Sequence, residues 1–397
     1  MTLELSKVST QVASMGQSAA RRADERSRAT PHVLDLLSLY RDEADLREKV
    51  ERAKRTKQWS GALPLTEPLD SAIDPPALPE RVTLVAADGS QIYPDRHAIA
   101  LYYVINIGSI ILRLGTGETP VTETRPAIAF DDEHLYGDDD YTVSGPVINA
   151  RRTVAEMTCL AQLAIQESAH APTVALADGN IALRVRQEGI SEDERARLEK
   201  EYMTQLDRLR AARIPAGGFI ARPGATSIVR MLQLAEECPL DRVAEFVKNN
   251  KGRPYDGISD IPIFAKLLGA GQRSAVFQSA TQWSAPYEAR GHAICFFYLN
   301  VSTSVRRSIA RVEVPEWIAN DMDRVGLLHA ASVAQCRVTS NPYPYVLTRA
   351  DELAVITTAE KANFDQMIGV ELMRHGVEAL PSEKAVMKSV ARYTRKR

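Results

Sequence analysis

The sequence predicts a mixed α/β fold, and three features carry that prediction. Short apolar runs of β type, "VTLVAADGS" at 82–90 and "PTVALADGN" at 172–180, alternate with stretches of helical period. The run "HAIALYYVINIGSIILRLGTG" at 97–117 is aromatic and β-branched, as buried strands are. Both short runs stop on the same pair, Asp88-Gly89 and Asp178-Gly179. A chain of 397 residues with 45% hydrophobic and 25% charged residues has material for a core without disulfide or metal staples.

The N-terminal 58 or so residues read as helical and charged. "VLDLLSLYRDEADLREKVERAK" sets Leu36, Leu37, Tyr40, Leu46 and Val50 at helical spacing, with Pro31 opening the segment. Proline and polar residues in "SGALPLTEPLDSAIDPPALPER" then indicate a linker. Residues 1–80 are therefore expected to form an arm that packs on a partner or on the body, and residues 81–397 the body itself.

Within the body, 82–90 is a strand, and 97–117 reads as two adjacent strands with Gly108 between them. The acidic stretch "FDDEHLYGDDDY" is a loop. After Pro146, Val147, Val154, Met157, Leu160 and Leu163 fit one buried helix face, and 172–180 forms the next strand. Residues 191–213 form a charged helix whose stripe is Leu198, Tyr202, Leu206 and Leu209, an insertion packed by that stripe. "GGFIARPGATSIVRMLQLAEE" gives strand, turn and helix; "DIPIFAKLLGAGQRSAVFQS" gives helix, turn and strand. "HAICFFYLNVS" and "IARVEVPEWI" form a hairpin, and two helices follow within 343–376.

A strand, a meander, a helix and a strand parallel to the first is how a ribonuclease H-like sheet begins. The expected architecture is therefore such a mixed sheet flanked by helices, with helical insertions and the N-terminal arm. Neighbouring parallel strands release their C-terminal ends together, which would set Asp88 beside Asp178. Paired acids there suit a hard divalent cation and phosphoryl chemistry, whereas a single Asp-Gly is explained as a turn. Glu156, on the intervening helix with Cys159 and Leu160, supplies a third carboxylate; its ordinary role would be an i,i+4 pair with Arg152.

Other chemistries are disfavoured. The four cysteines (Cys159, Cys238, Cys295, Cys336) lie apart with no CxxC, which argues against a zinc site or a disulfide framework and fits a reducing cytoplasm. No HExxH and no GxxxxGK[ST] occurs, so neither zinc hydrolysis nor P-loop ATP hydrolysis is expected. No secretory leader and no run of eighteen apolar residues is present, so a membrane protein is not expected. With net charge −2, any nucleic-acid surface must be a local one.

"VAADGSQIYPDRH", "RRTVAEM", "ALADGN", "GFIARP", "GQRSAVF", "FFYLN", "ARVEVPEWIA", "NPYPYVLTRADELAVI" and "SEKAVMK", in this order over about 80–390, resemble the NurA nucleases. The resemblance implies metal ligation by Asp88, Glu156 and Asp178, with Mn²⁺ (or Mg²⁺) as cofactor, two ions in all. It implies 5′-to-3′ exonuclease and single-strand endonuclease activity on DNA, in end resection or phage defence. The implied assembly is a homodimer docked on a hexameric HerA-type ATPase. Two departures stand out: Asn180 occupies the place of a Ser or Thr, and Asp351 stands where many relatives carry His. Asp351 is a candidate fourth ligand or a helix-capping acid. Candidate DNA contacts are Ser90, Arg152, Arg222, Arg273, Lys384 and Lys388, while His97 and His329 are expected to serve structure.

Two rival functions keep the fold. An actin-like phosphotransferase also uses paired Asp-Gly motifs but needs a late glycine-rich adenosine loop, for which "PAGGF" is a poor substitute. A non-catalytic adaptor of a motor is suggested by Asn180 and Asp351.

Overall fold

The computed structural model of the chain describes residues 4–42, 44–56, 58–136, 142–185, 190–249, 255–304, 306–339 and 341–377. Helices α1 (Ser9–Leu39) and α2 (Ala44–Arg55) come first, then strand β1 (Ser60–Pro64). Strands β2 (Val82–Ile92), β3 (Tyr103–Leu114) and β4 (Val121–Ala129) follow, closed by one turn, α3 (Asp132–Leu135). Helix α4 (Gly145–Glu167) leads into β5 (Thr173–Asp178), and α5 (Glu192–Ala211) into β6 (Ala216–Ile220). Helices α6 (Ser227–Glu237), α7 (Val243–Asn249) and α8 (Ile261–Leu267) precede β7 (Phe277–Thr281). A turn, α9 (Ala285–Glu288), leads to β8 (Ile294–Asn300) and β9 (Ile309–Pro315). Helices α10 (Glu316–Ala319), α11 (Met322–Val338), α12 (Tyr345–Ala354) and α13 (Thr358–Arg374) complete the described elements. The fold is mixed α/β. None of the described helices is long and apolar enough to cross a membrane.

Two compact units share these elements. The first holds Met1–Leu78, Gly179–Ala182 and Ala216–Pro344. Its strands run in the order β1-β7-β8-β9-β6, each pair antiparallel. β8 and β9 are buried at every position. Their side chains Phe296, Tyr298 and Ile309 share one core with Phe277 of β7, Phe264 of α8, Leu232 of α6 and Val33, Leu36 and Leu37 of α1. Among these buried groups Asp260 accepts from the backbone amides of Ser227, Ile228 and Val229, so a distant carboxylate caps the start of α6.

The second unit holds Pro79–Asp178, Leu183–Pro215 and the chain from Tyr345 onward. Its strands run in the order β5-β2-β3-β4. β2 pairs antiparallel with β3, β3 antiparallel with β4, and β2 parallel with β5 from Thr83↔Thr173 to Ala87↔Ala177. This is the ribonuclease H-like arrangement that the element order predicts. Helix α4 buries Val147, Val154, Met157, Leu160 and Leu163, and a bidentate pair of Arg113 (β3) with Glu167 at 2.6 and 2.7 Å ties its end to the sheet. Helix α5 packs on α4 through the predicted stripe of Leu198, Tyr202, Leu206 and Leu209. Ser191 caps its first turn by accepting from the Glu194 amide.

Three local readings give way to the structure. Pro31 lies inside α1, which begins well before it; the adjacent Thr30 hydroxyl donates to the Arg26 carbonyl at 2.6 Å, a local bond of the kind that lets a helix bend past such an interruption. Ser60–Pro64 is not linker but β1, paired along its whole length with β7. The stretch at 97–117 supplies one strand, β3, and its partner β4 is "VTETRPAIA". β4 escapes sequence detection because it is mostly exposed and contains Pro126; in its unit it pairs only with β3, and a terminal strand tolerates a missing amide.

Gly108 is mid-strand because α12 crosses it. An ideal Cβ there would fall 2.5 Å from both the Ala350 carbonyl oxygen and the Ala354 amide nitrogen. Gly108→Ala is expected to lower stability by about 1–3 kcal/mol through overpacking. Gly224→Ala, where a Cβ meets nothing within 4 Å, should change it by less than about 0.5 kcal/mol. Urea unfolding of the two variants checks the pair.

Candidate functional site

The four acids singled out in the sequence all belong to the second unit. Asp178 is the last residue of β5. Asp88, by contrast, does not end a strand: β2 continues through Asp88-Gly89 to Ile92, held against β3 with Asp88 opposite Gly108. The parallel pairing stops at Ala87↔Ala177, so the two aspartates are the next position on each of two adjacent strands, whose spacing is about 4.8 Å.

The two Asp-Gly pairs owe their glycines to different causes. Gly179 has φ +80°, the left-handed region that turns the chain out of β5. Gly89 stays in the ladder, and it is required by approach: an ideal Cβ would lie 2.7 Å from Glu156 Oε1 and 2.9 Å from Arg152 Cγ. Helix α4 can thus set its carboxylate against the backbone of β2. The Gly89 amide donates to Asp88 Oδ1 at 2.8 Å and also favours the charged form of Glu156.

The opposite glycine admits the fourth acid. Gly108 and Asp88 are register partners, and α12, which carries Asp351, lies on Gly108. Two side chains of the same ladder hold this helix by its C-terminal end: Ser90 Oγ and Asn106 Nδ2 both donate to the Ala354 carbonyl. That carbonyl is among those a helix leaves unpaired at its end. Ser90 is therefore engaged with protein.

Electrostatics mark the cluster. Burial is the main reason that the Asp88 carboxyl is raised to about 6; Asp178 and Asp351 push the same way, against the Gly89 amide and Arg152. Glu156 is raised to about 7, again chiefly by burial, with Asp88 and Asp178 adding to it and Arg152 opposing. Arg152 Nε stands 2.9 Å from Glu156 Oε1, yet both atoms are buried without a hydrogen-bond partner. The Arg152 Nη1 is spent on Gln91 Oε1 at 2.8 Å, and Gln91 in turn donates to the Tyr93 hydroxyl, which donates to Asn149.

Among the described residues no three Asp, Glu, His or Cys side chains converge as a ready metal cluster. The donor set nonetheless fits a hard divalent cation. It is all carboxylate oxygen, its members repel one another, and Glu156 Oε1, although ion-paired with Arg152, lacks a hydrogen-bond partner. A cation among them would relieve the repulsion that raises Asp88 and Glu156.

The basic candidates scatter. Arg152 lies within the cluster. Arg222 is exposed just after β6, in the first unit. Arg273, also in the first unit, is buried: it pairs with Glu67 at 2.8 and 2.9 Å, donates to the Ser274 carbonyl and lies over Phe297. Its guanidinium serves packing, which removes it as a phosphate contact. Lys384 and Lys388 lie outside the described residues. His329 is buried with Nε2 2.7 Å from the Gly271 carbonyl oxygen, a structural position. Sequence reasoning missed Asn106 and Gln91. Asn106 shares the alternation of Gly108 in an otherwise apolar run, a readable signal; Gln91 bears none.

A family profile, that of the NurA domain, matches residues 82–356. No functionally curated protein matches the chain. Two solved structures are similar in part. One is the NurA nuclease from Sulfolobus solfataricus, 14% identical, with a TM-score of 0.41 over 82% of this chain and 92% of that one. The other is the catalytic domain of human endonuclease V, 16% identical, with a TM-score of 0.32 over 82% of this chain and 98% of that one.

The raised carboxyls have a sign that can be measured. Their folded values exceed their unfolded ones, so the folded chain holds extra protons between about pH 4 and pH 7. Their stabilising contribution is complete below this window and is lost as pH rises through about 6 to 7. In chelator, an Asp88→Asn/Glu156→Gln variant should gain thermal stability over the parent as pH rises from 5 to 8. Melting curves of both proteins across that range check the expectation.

Proposed function

The chain belongs to the NurA family, and on that premise we propose that it is a nuclease hydrolysing DNA phosphodiesters with Mn²⁺ or Mg²⁺. The observation that carries this reading is the acid cluster of Asp88, Glu156, Asp178 and Asp351, in which Asp88 and Glu156 are raised by burial and mutual repulsion. A cation site would account for four acids gathered around one strand. The similarity of the Sulfolobus protein, described as a nuclease, agrees with it.

In this reading Asp88, Glu156 and Asp178 would hold the cation, Asp351 would complete the set, and the reading takes two ions. When bound, such ions supply charge that a pentacovalent phosphate needs and lower the pKa of a coordinated water. The chain's own contribution is to keep the carboxylates in place. Gly89 admits Glu156 to the strand, and its amide orients Asp88. Ser90 and Asn106 fix the helix that bears Asp351. Arg152, held by Gln91, leaves Nε beside Glu156, where it can steady that carboxylate. The finer assignments, 5′-to-3′ polarity, single-strand cleavage and service to a HerA-type hexameric motor in end resection or phage defence, belong to the same proposal. If translocation along DNA needs fuel, a partner must supply the motor, because the sequence has no P-loop motif.

End-labelled linear DNA incubated with the protein and Mn²⁺ tests this. Asp88→Asn and Asp178→Asn should each reduce cleavage at least about 100-fold, the scale of removing a principal electrostatic group, with melting temperature retained or raised. Full activity in Asp88→Asn would overturn the site. An inactive parent, with and without a HerA-type motor, would instead favour a non-catalytic adaptor.

A further inference from the structure

Arg152 touches the acid cluster without closing on it. Its Nε lies 2.9 Å from Glu156 Oε1, which is hydrogen-bond distance, yet neither atom takes part in a hydrogen bond. At that separation only direction is missing: the N–H is not aimed at the oxygen. An arginine in contact with a carboxylate commonly closes on it through two parallel bonds, as Arg113 does on Glu167 in the same unit. Leaving a buried N–H and a buried carboxylate oxygen unbonded costs stability, so another contact must set the angle of this guanidinium.

Gln91 sets it. Arg152 Nη1 donates to Gln91 Oε1 at 2.8 Å. Gln91 follows Gly89 by two positions on β2 and shares its face, the face on which the Arg152 stem and the Glu156 carboxylate lie side by side. The guanidinium is thus drawn toward residue 91 rather than turned onto the carboxylate. The Gln91 amide is oriented in turn: its Nε2 donates to the Tyr93 hydroxyl at 2.8 Å, and that hydroxyl donates to Asn149 Oδ1 at 2.6 Å. A phenol has one proton. Given to Asn149, it leaves Tyr93 able only to accept from Gln91, which therefore presents its oxygen to Arg152. The Tyr93 ring rests on Gly145, 3.5 Å from where a Cβ would stand. Asn149, Arg152 and Glu156 follow one another by three and four residues along one stripe of α4, so the chain of bonds starts and ends on the same helix.

We infer that Gln91, Tyr93 and Asn149 form a positioning relay that keeps Arg152 from closing on Glu156, so that Glu156 Oε1 stays open to a divalent cation. The inference rests on the cation reading of the acid cluster and deepens it. Arg152 becomes a competitor of the cation for one oxygen, and Gln91 is the residue that decides between them. Released from Gln91, the guanidinium can turn onto Glu156 and satisfy both buried atoms at once. Partners that orient a ligand in this way commonly govern metal affinity by about 10- to 100-fold.

Calorimetric titration of the full chain with Mn²⁺ provides the test, with cleavage of end-labelled DNA followed over a range of Mn²⁺ beside it. Gln91→Ala should weaken Mn²⁺ binding by at least about 10-fold. It should raise the half-saturating Mn²⁺ for cleavage and leave the rate at saturating Mn²⁺ little changed. Tyr93→Phe keeps the ring on Gly145 and removes only the hydroxyl; it should act in the same direction, and it serves where Gln91→Ala does not fold. In an Arg152→Met background Gln91→Ala should have no further effect on binding, because the competitor is gone. A merely structural role for Gln91 would persist there undiminished. Tighter Mn²⁺ binding in Gln91→Ala, unchanged binding in both single variants, or an equal loss in the Arg152→Met background would each overturn the inference. A parent that binds no Mn²⁺ would overturn the cation reading itself, and the relay with it.

Discussion

At Gly89 and Gly108 the sheet of the second unit is approached more closely than any side chain allows. Helix α4 meets the first and α12 the second, and the residue between these contacts in the ladder is Asp88. Everything else about the acid cluster depends on this double approach. Glu156 reaches the strand only because Gly89 has no Cβ, and Asp351 comes near only because α12 can lie on Gly108. The surrounding bonds then fix what proximity permits. Ser90 and Asn106 satisfy the end of α12, and the Arg113–Glu167 pair secures the end of α4.

Holding carboxylates so close has an energetic cost, visible in the raised Asp88 and Glu156. Burial dominates both shifts, and Arg152 offsets only part of them. A structural ion-pair network would have paired each acid with a base. The contrast lies in the first unit, where Arg273 meets Glu67 with two good bonds and Lys54 meets Glu288. In the second unit the acids outnumber the bases around β2, and Arg152 alone opposes the rise of Asp88 and Glu156 among the charged side chains beside them.

How much of this was legible in the sequence follows from which forces act locally. The parallel pairing of β2 with β5 and the helices α4 and α5 were readable because period and burial coincide there: Val154, Met157 and Leu160 repeat at helical spacing and are buried. β1 and β4 were not, because "SGALP" and "VTETRPAIA" acquire their structure from a partner strand rather than from their own composition. The acids at 88, 156 and 178 were legible as a pattern, but the meaning of the first Asp-Gly was not. It looks like a turn in sequence and is a contact surface in space. Arg273 misleads for the converse reason: a basic residue in a glycine-rich turn resembles a phosphate contact until Glu67, more than two hundred residues earlier, is seen to hold it.

The position of α12 has a consequence in time. Asp351 follows Asp88 by 263 residues, and the helix that carries it is bonded to Ser90 and Asn106 near the start of the same sheet. At a synthesis rate of about 5–20 residues per second, roughly 13–50 s separate the two acids on the ribosome. During that interval β2 and β3 can pair, but the groove over Gly108 has no helix to fill it. Closing so long a loop is slow compared with the local pairing of a hairpin. Asp351 thus reaches the other three acids only late in synthesis, and a chain stalled before α12 lacks it.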